Sequence, residues 1–264
     1  MIVDFKFNNN KLKINLERRS DFASFYQVFV ERSYPHLINK ICEGDTVIDA
    51  GANIGVFTIL ASVLVGKTGQ VIAIEPDPEN LRLLRKNIQL NNLTNVQIID
   101  KALYKESGIQ IKFIQDGVML QISMDNGRQK NYVEVKTITL DDIVNEFEIK
   151  PKILKMDIEG AEKFALLEAR KTMEYVNYFE MEIHSEEDYN VLMQYAKEFK
   201  LIEEPAESLR NVIKFILKNP LKVLNLEYHN RFRTTQRILS SKIKKHKASK
   251  YPLIIYGEKT LDYK

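Results

Sequence analysis

From Thr46 onward, short β-branched and aliphatic runs alternate with longer stretches whose apolar residues recur at helical spacing. A parallel sheet with crossover helices requires that arrangement. Residues 46–49 read as a first strand, followed by a glycine-bearing loop and a buried helix to about residue 65. A nearly continuous apolar run over 71–75 suits a second strand covered on both faces. Asp77 and Pro78 then supply an N-cap and a first-turn proline for a helix to about residue 91. Residues 96–99 form a third strand, and 109–136 alternate weakly around Gly117 and Gly127, as a hairpin or loop excursion would. A short helix opens at Thr139, a fourth strand covers 153–157, and a single helix is expected over 160–173. The fifth strand runs over 178–184, and Ser185 with Asp188 caps the helix after it. Two closing antiparallel strands are expected around 201–202 and 252–256.

The domain reading follows from these elements. Residues 1–45 form an N-terminal cap of strands and a helix, 46–204 the α/β core, 205–250 a helical insertion and 251–264 the closing strand. The 264 residues carry a near-balanced net charge of +3, but 14 basic and 3 acidic residues fall in 210–264, against 25 and 33 before it. The body is therefore net −8 and the tail +11. Leu209, Val212, Ile213, Ile216 and Leu217 make 207–218 a basic amphipathic helix. Packing on the sheet or on a second subunit in a homo-oligomer, and peripheral contact of 207–250 with an anionic membrane surface, are both open. Nucleic acid is disfavoured by the acidic body and the lack of a recognised binding module.

The single cysteine, Cys42, excludes an internal disulfide framework and fits a reducing, cytoplasmic setting, with membrane association as the variant. The N-terminus has an acid where a secretory signal would be basic, and reads as uncleaved. The longest apolar stretch, 54–66, is shorter than the roughly 20 residues a membrane span needs.

The segment Asp49-Ala50-Gly51-Ala52-Asn53-Ile54-Gly55 lies between a strand and a helix. It departs from the dinucleotide pattern G-x-G-x-x-G, because Asn53 replaces a glycine and Gly55 comes one residue early. It suits a ligand with an amino-acid end, whose ammonium Asp49 would meet and whose carboxylate the loop amides would meet. Glu75 follows at the spacing where an acid accepts hydrogen bonds from ribose hydroxyls. A nucleoside carrying an amino acid is S-adenosyl-L-methionine, the expected cofactor.

These segments, with Ala73-Ile74-Glu75-Pro76-Asp77-Pro78, Leu154-Lys155-Met156-Asp157-Ile158-Glu159-Gly160-Ala161-Glu162 and Glu182-Ile183-His184, resemble the FkbM family of S-adenosylmethionine-dependent methyltransferases over about residues 20–204. The resemblance implies a class I methyltransferase (Rossmann-like) α/β fold, a mostly parallel seven-stranded sheet with helices on both faces. It also implies O-methylation of a small-molecule or glycan acceptor, sugars being typical. It places cofactor contacts at Asp49, Gly51, Asn53, Gly55, Glu75 and Asp77, with Asp100 and Ala102 against adenine.

Methyl transfer to oxygen needs an aligned hydroxyl and a place for its proton. The carboxyl ends of the fourth and fifth strands carry Asp157, Glu159, Glu182 and His184. Strand alternation puts Glu182 and His184 on one side, and His184 is the expected general base. Asp157 is expected to contact the substrate hydroxyl or the cofactor, and Glu159 to position. Lys155, inside an apolar strand, needs a partner among these acids. Asp157, Glu182 and His184 offer metal donors, but their spacing holds no self-sufficient ligand motif, so no metal is expected.

Overall fold

The computed structural model describes residues 1–30, 34–116, 119–122, 132–205 and 252–260. A hairpin opens the chain, β1 (Ile2–Phe7) paired with β2 (Asn10–Asn15). Asn8 and Asn9 turn it at positive φ, which short polar side chains tolerate. Two short helices follow, α1 (Arg19–Phe25) and α2 (Pro35–Ile38).

The core then runs β3 (Thr46–Ala50), α3 (Val56–Val65), β4 (Gln70–Ile74), α4 (Pro78–Leu90) and β5 (Val96–Ile99). Four strands come next: β6 (Ala102–Leu103), β7 (Gln110–Asp116), β8 (Met119–Ile122) and β9 (Tyr132–Ile138). They form a small separate sheet in the order β6-β9-β7-β8, so the weakly alternating excursion is a hairpin with added strands. The chain continues with α5 (Leu140–Glu146), β10 (Ile153–Met156), α6 (Glu162–Leu167), α7 (Arg170–Tyr175), β11 (Tyr178–Ile183), α8 (Glu186–Leu192), β12 (Phe199–Pro205) and β13 (Leu253–Lys259).

The main sheet has seven strands in the order β12-β13-β11-β10-β3-β4-β5. Only β13 runs against its neighbours, slotted between β11 and β12. β3, β4 and β10 are buried along almost their whole length, which explains their largely apolar sequences, with Asp49 and Lys155 as the charged exceptions. From β3 the chain moves to β4 on one side and later to β10 on the other. Open α/β sheets bind ligands at the carboxyl ends of strands beside such a switch point. Gly51, Glu75, Asp157 and His184 all lie at that edge.

The helix expected over 160–173 is two helices. Glu168 and Ala169 leave helical geometry, and the Asp141 carboxylate of α5 accepts from the amides of Lys171 and Thr172 at 3.0 and 2.8 Å and from the Thr172 hydroxyl at 2.8 Å. A capping acid from a distant helix thus starts α7 anew. The insertion at 205–250 falls almost wholly outside the described residues. No helix among the described residues is long and apolar enough to cross a membrane.

Candidate active site

The loop after β3 is held from beneath. Asp49 is fully buried; its Oδ2 accepts from Thr58 Oγ1 at 2.5 Å and its Oδ1 lies 3.3 Å from Lys155 Nζ. Lys155 also donates to the carbonyls of Ala50 and Gly51 at 3.2 and 2.7 Å. The partner of Lys155 is therefore Asp49, rather than one of the acids beyond β10. Asp49 braces the loop through this pair.

The loop amides are also engaged internally. Gly51 and Ala52 donate to the Ile74 carbonyl at 3.0 and 2.9 Å, Asn53 to Glu75 Oε2 at 2.7 Å, and Gly55 to the Ala52 carbonyl at 2.9 Å. These four amides fix the loop's shape, so the expectation that they meet a ligand carboxylate does not hold for them. Gly51 sits at φ +76°, where a Cβ would fall 1.9 Å from the Asp157 carbonyl oxygen. Only glycine lets the first loop pack on the segment after β10.

Glu75 lies at the end of β4. Its two oxygens accept from the amides of Asn53 and Asp77, the latter at 2.9 Å. Burial pushes its pKa up to about 7, against the lowering effect of those two bonds. An ionised carboxylate has about four lone-pair sites, so capacity for ribose hydroxyls remains. That acceptor chemistry fits the ribose of S-adenosyl-L-methionine. Asp77 caps α4, accepting from the amides of Glu79 and Asn80 at 2.7 and 3.2 Å. Asp100 is exposed and 3.3 Å from Arg85, while Ala102 is buried in β6. The amide of Glu75 bonds the Ile99 carbonyl at 3.1 Å, which brings the Asp100 segment beside Glu75.

The residues beyond β10 and β11 converge on His184. Its Nδ1 is 3.2 Å from Glu162 Oε1, and its Nε2 is 3.4 Å from Glu159 Oε2 and 3.7 Å from Glu182 Oε1. Glu159 reaches it from a backbone at φ +57°, next to Gly160 at φ +94°. Burial opposes charge on the ring, yet hydrogen bonds to Glu159 and Glu162 and the charges of Glu162 and Glu182 push its pKa up to about 11. Carboxylates at both ring nitrogens favour the charged imidazole. Glu182 is raised to about 8, by burial and then by Asp157. An open cleft of about 810 Å³ adjoins the cluster, lined by Glu159, Gly160, Lys163, His184 and Ser185 among others.

Tyr34 and Glu162 complete the site. Tyr34 Oη donates to Asp157 Oδ2 at 3.1 Å, and Glu162 is fully buried behind His184. Glu162 had the sequence character of a helix-start acid, and nothing in the pattern around Tyr34 marked it.

The sheet order, the loop after β3 and the acid after β4 define a class I methyltransferase. The Methyltransferase FkbM domain model matches residues 49–218, and the chain belongs to that family of S-adenosylmethionine-dependent methyltransferases. The hexuronic acid methyltransferase AglP of Haloferax volcanii is 29% identical over 173 residues, 64% of this chain and 68% of that protein. Methyltransferase 1 of Beauveria bassiana is 24% identical over 157 residues, 52% of this chain and 62% of that one. The crystal structure of methyltransferase FkbM from Methylobacillus flagellatus superposes with a TM-score of 0.46 at 21% identity, covering 62% of this chain and 40% of that chain.

Proposed function

We propose that the protein transfers a methyl group from S-adenosyl-L-methionine to a hydroxyl oxygen of a neutral sugar or glycan. The observation that carries this reading is the cluster of Asp157, Glu159, Glu182 and His184 at the edge of the sheet that also holds Glu75. The activity for which the Haloferax relative is named, on a hexuronic acid, supports a sugar as the acceptor class. The carboxylates facing the cleft favour a neutral acceptor over a carboxylated or phosphorylated one.

When bound, the cofactor supplies a methyl group already activated on a sulfonium. Glu75 accepts the ribose hydroxyls, and Asp49, through Lys155, keeps the glycine loop in register beneath the cofactor. Asp77 acts through the cap of α4, and the Asp100–Ala102 segment borders the adenine side. Asp157 and Glu159 hold acceptor hydroxyls. Both nitrogens of His184 face carboxylates, so its ring orients the cluster, and the ionised form of Glu182, whose pKa is raised to about 8, receives the proton of the reacting hydroxyl. A positioned base is worth about 100- to 10,000-fold in rate.

The test is transfer of labelled methyl from S-adenosyl-L-methionine to a panel of neutral sugars, uronic acids and sugar phosphates. Neutral sugars are expected to label, and Glu182→Gln is expected to bind S-adenosylhomocysteine normally while losing at least about 100-fold in turnover. Labelling confined to anionic acceptors, or full turnover in Glu182→Gln, would overturn the reading.

A further inference from the structure

We propose that Asp157, Glu159 and His184 form a site for a single divalent cation of the hard, oxygen-seeking class typified by Mg²⁺ and Mn²⁺. One carboxylate oxygen from each acid and one ring nitrogen lie within 4.8 Å of one another. Ligands about 2.1–2.4 Å from a central ion are separated by up to about twice that distance, so a small inward turn of the partly exposed Glu159 closes the set. The residue spacing concealed this group, because the left-handed backbone at Glu159 is what swings its carboxylate toward His184.

Three further features point to a cation. First, Asp157 Oδ1 is buried without a hydrogen-bond donor, although Oδ2 accepts from Tyr34. A buried carboxylate oxygen in that condition is costly unless something positive meets it.

Second, the histidine has a built support. Glu162, wholly buried, takes Nδ1 of His184 at 3.2 Å and the amide of Ile158 at 3.1 Å, and its Oε2 is a second buried oxygen without a donor. This fixes the ring with Nε2 turned toward Glu159. A carboxylate behind a ligating histidine sets the ring's tautomer and orientation in just this way.

Third, carboxyl groups crowd the site: Asp157, Glu159, Glu162 and Glu182 lie around one imidazole. Among the described residues no lysine or arginine makes a salt bridge to any of them; Lys155 pairs with Asp49, and Lys163, which lines the same cleft, pairs with Glu187. The two carboxylates suit Mn²⁺ and Mg²⁺, and the imidazole favours Mn²⁺ of the two. In the loaded state the cation stands where the Nε2 proton otherwise lies.

The site's role rests on the methyl-transfer reading above: its chemistry there is to hold two neighbouring oxygens of a polyol acceptor and make its hydroxyl more acidic. Glu182, 3.7 Å from Nε2, remains beside it to receive the proton.

The test is titration of the full chain with Mn²⁺, followed by loss of the free-ion electron paramagnetic resonance signal, with and without S-adenosylhomocysteine. Saturable uptake of a single ion is expected, weakened at least about tenfold in Glu159→Gln and about 10- to 100-fold in Glu162→Gln. Normal S-adenosylhomocysteine binding by Glu159→Gln shows that its fold is intact. Absence of saturable uptake by the wild type, or unchanged uptake in Glu159→Gln, would overturn the site. If labelled methyl still reaches sugars at full rate in chelator, the cation inference falls and the methyltransferase reading stands. If Mn²⁺ uptake depends on Glu159 but no sugar is labelled, the site stands and the sugar reading falls.

Discussion

Tyr34 Oη donates to Asp157 Oδ2 at 3.1 Å, joining residues 123 positions apart in the chain. The bond ties the N-terminal cap to the reacting end of β10. Tyr34 is nearly buried, its ring packs edge-on to Phe57, and Lys155 Nζ sits 5.5 Å from its centroid. The same tyrosine therefore touches both Lys155 of the loop brace and Asp157. Tyr34→Phe keeps the ring and removes the donor, leaving Asp157 without a hydrogen bond on either oxygen. We expect turnover to fall about tenfold and stability by about 1 kcal/mol, with S-adenosylhomocysteine affinity unchanged. Separate measurement of kcat and of ligand affinity checks this, because a purely structural defect would lower both.

Lys155 and Asp49 form a buried pair, so removing one member strands the other. Lys155→Met is expected to cost about 3–5 kcal/mol in denaturant unfolding, since Asp49 is fully buried beside it. Asp49→Asn combined with Lys155→Met is expected to recover part of that loss, because no uncompensated charge remains. An additive double variant would show that the two residues do not act as a pair.

The strands of the main sheet were legible because burial on both faces writes itself as mostly apolar sequence. Thr46–Ala50, Gln70–Ile74 and Ile153–Met156 are such runs, broken inside only by Asp49 and Lys155. The cap at Asp77 and the cap at Ser185 were legible for a local reason, each being a side chain bonding amides two or three residues on. What escaped the sequence is contact between distant segments. The break between α6 and α7 depends on Asp141, about 30 residues upstream of the amides it caps. Lys155 finds Asp49 on the neighbouring strand, where parallel register sets the two opposite each other. Glu159 and Glu162, some two dozen residues earlier, reach both ring nitrogens of His184, a meeting that no local pattern announces.

The two glycines of the loop after β3 differ in what surrounds them. A Cβ on Gly51 would meet the backbone oxygen of Asp157 at 1.9 Å, whereas one on Gly55 would meet Leu84 Cδ1 at 2.6 Å. A side-chain methyl can turn away and a carbonyl fixed in a strand end cannot. Both positions have positive φ, so both substitutions carry backbone strain. Gly51→Ala is expected to lower stability by about 3 kcal/mol or more and to abolish S-adenosylhomocysteine binding. Gly55→Ala is expected to cost about 1–3 kcal/mol and to keep measurable binding. Thermal unfolding and calorimetric titration of the two variants, side by side, check the order.

Glu75, proposed above to hold the ribose, is expected to make cofactor binding depend on pH. Its pKa rises from 4.5 in the unfolded chain to about 7 in the fold, chiefly through burial. Between those values the folded chain holds a proton that the unfolded chain has lost, so stability falls as pH rises across that window and is level above it. Each pH unit between the two values is worth about 1.4 kcal/mol, which makes the whole effect about 3 kcal/mol. Ribose hydroxyls donate to the ionised carboxylate, so ligand binding favours the deprotonated form. S-adenosylhomocysteine affinity is therefore expected to rise by up to about tenfold per pH unit below about 7 and to level off above it. Glu75→Gln cannot ionise; it is expected to bind about 10- to 100-fold more weakly, since a hydrogen bond to a charged group is lost, and to show no such rise. Calorimetric titration of both proteins across the window decides the matter: a wild-type affinity independent of pH would mean that Glu75 does not hold the ribose.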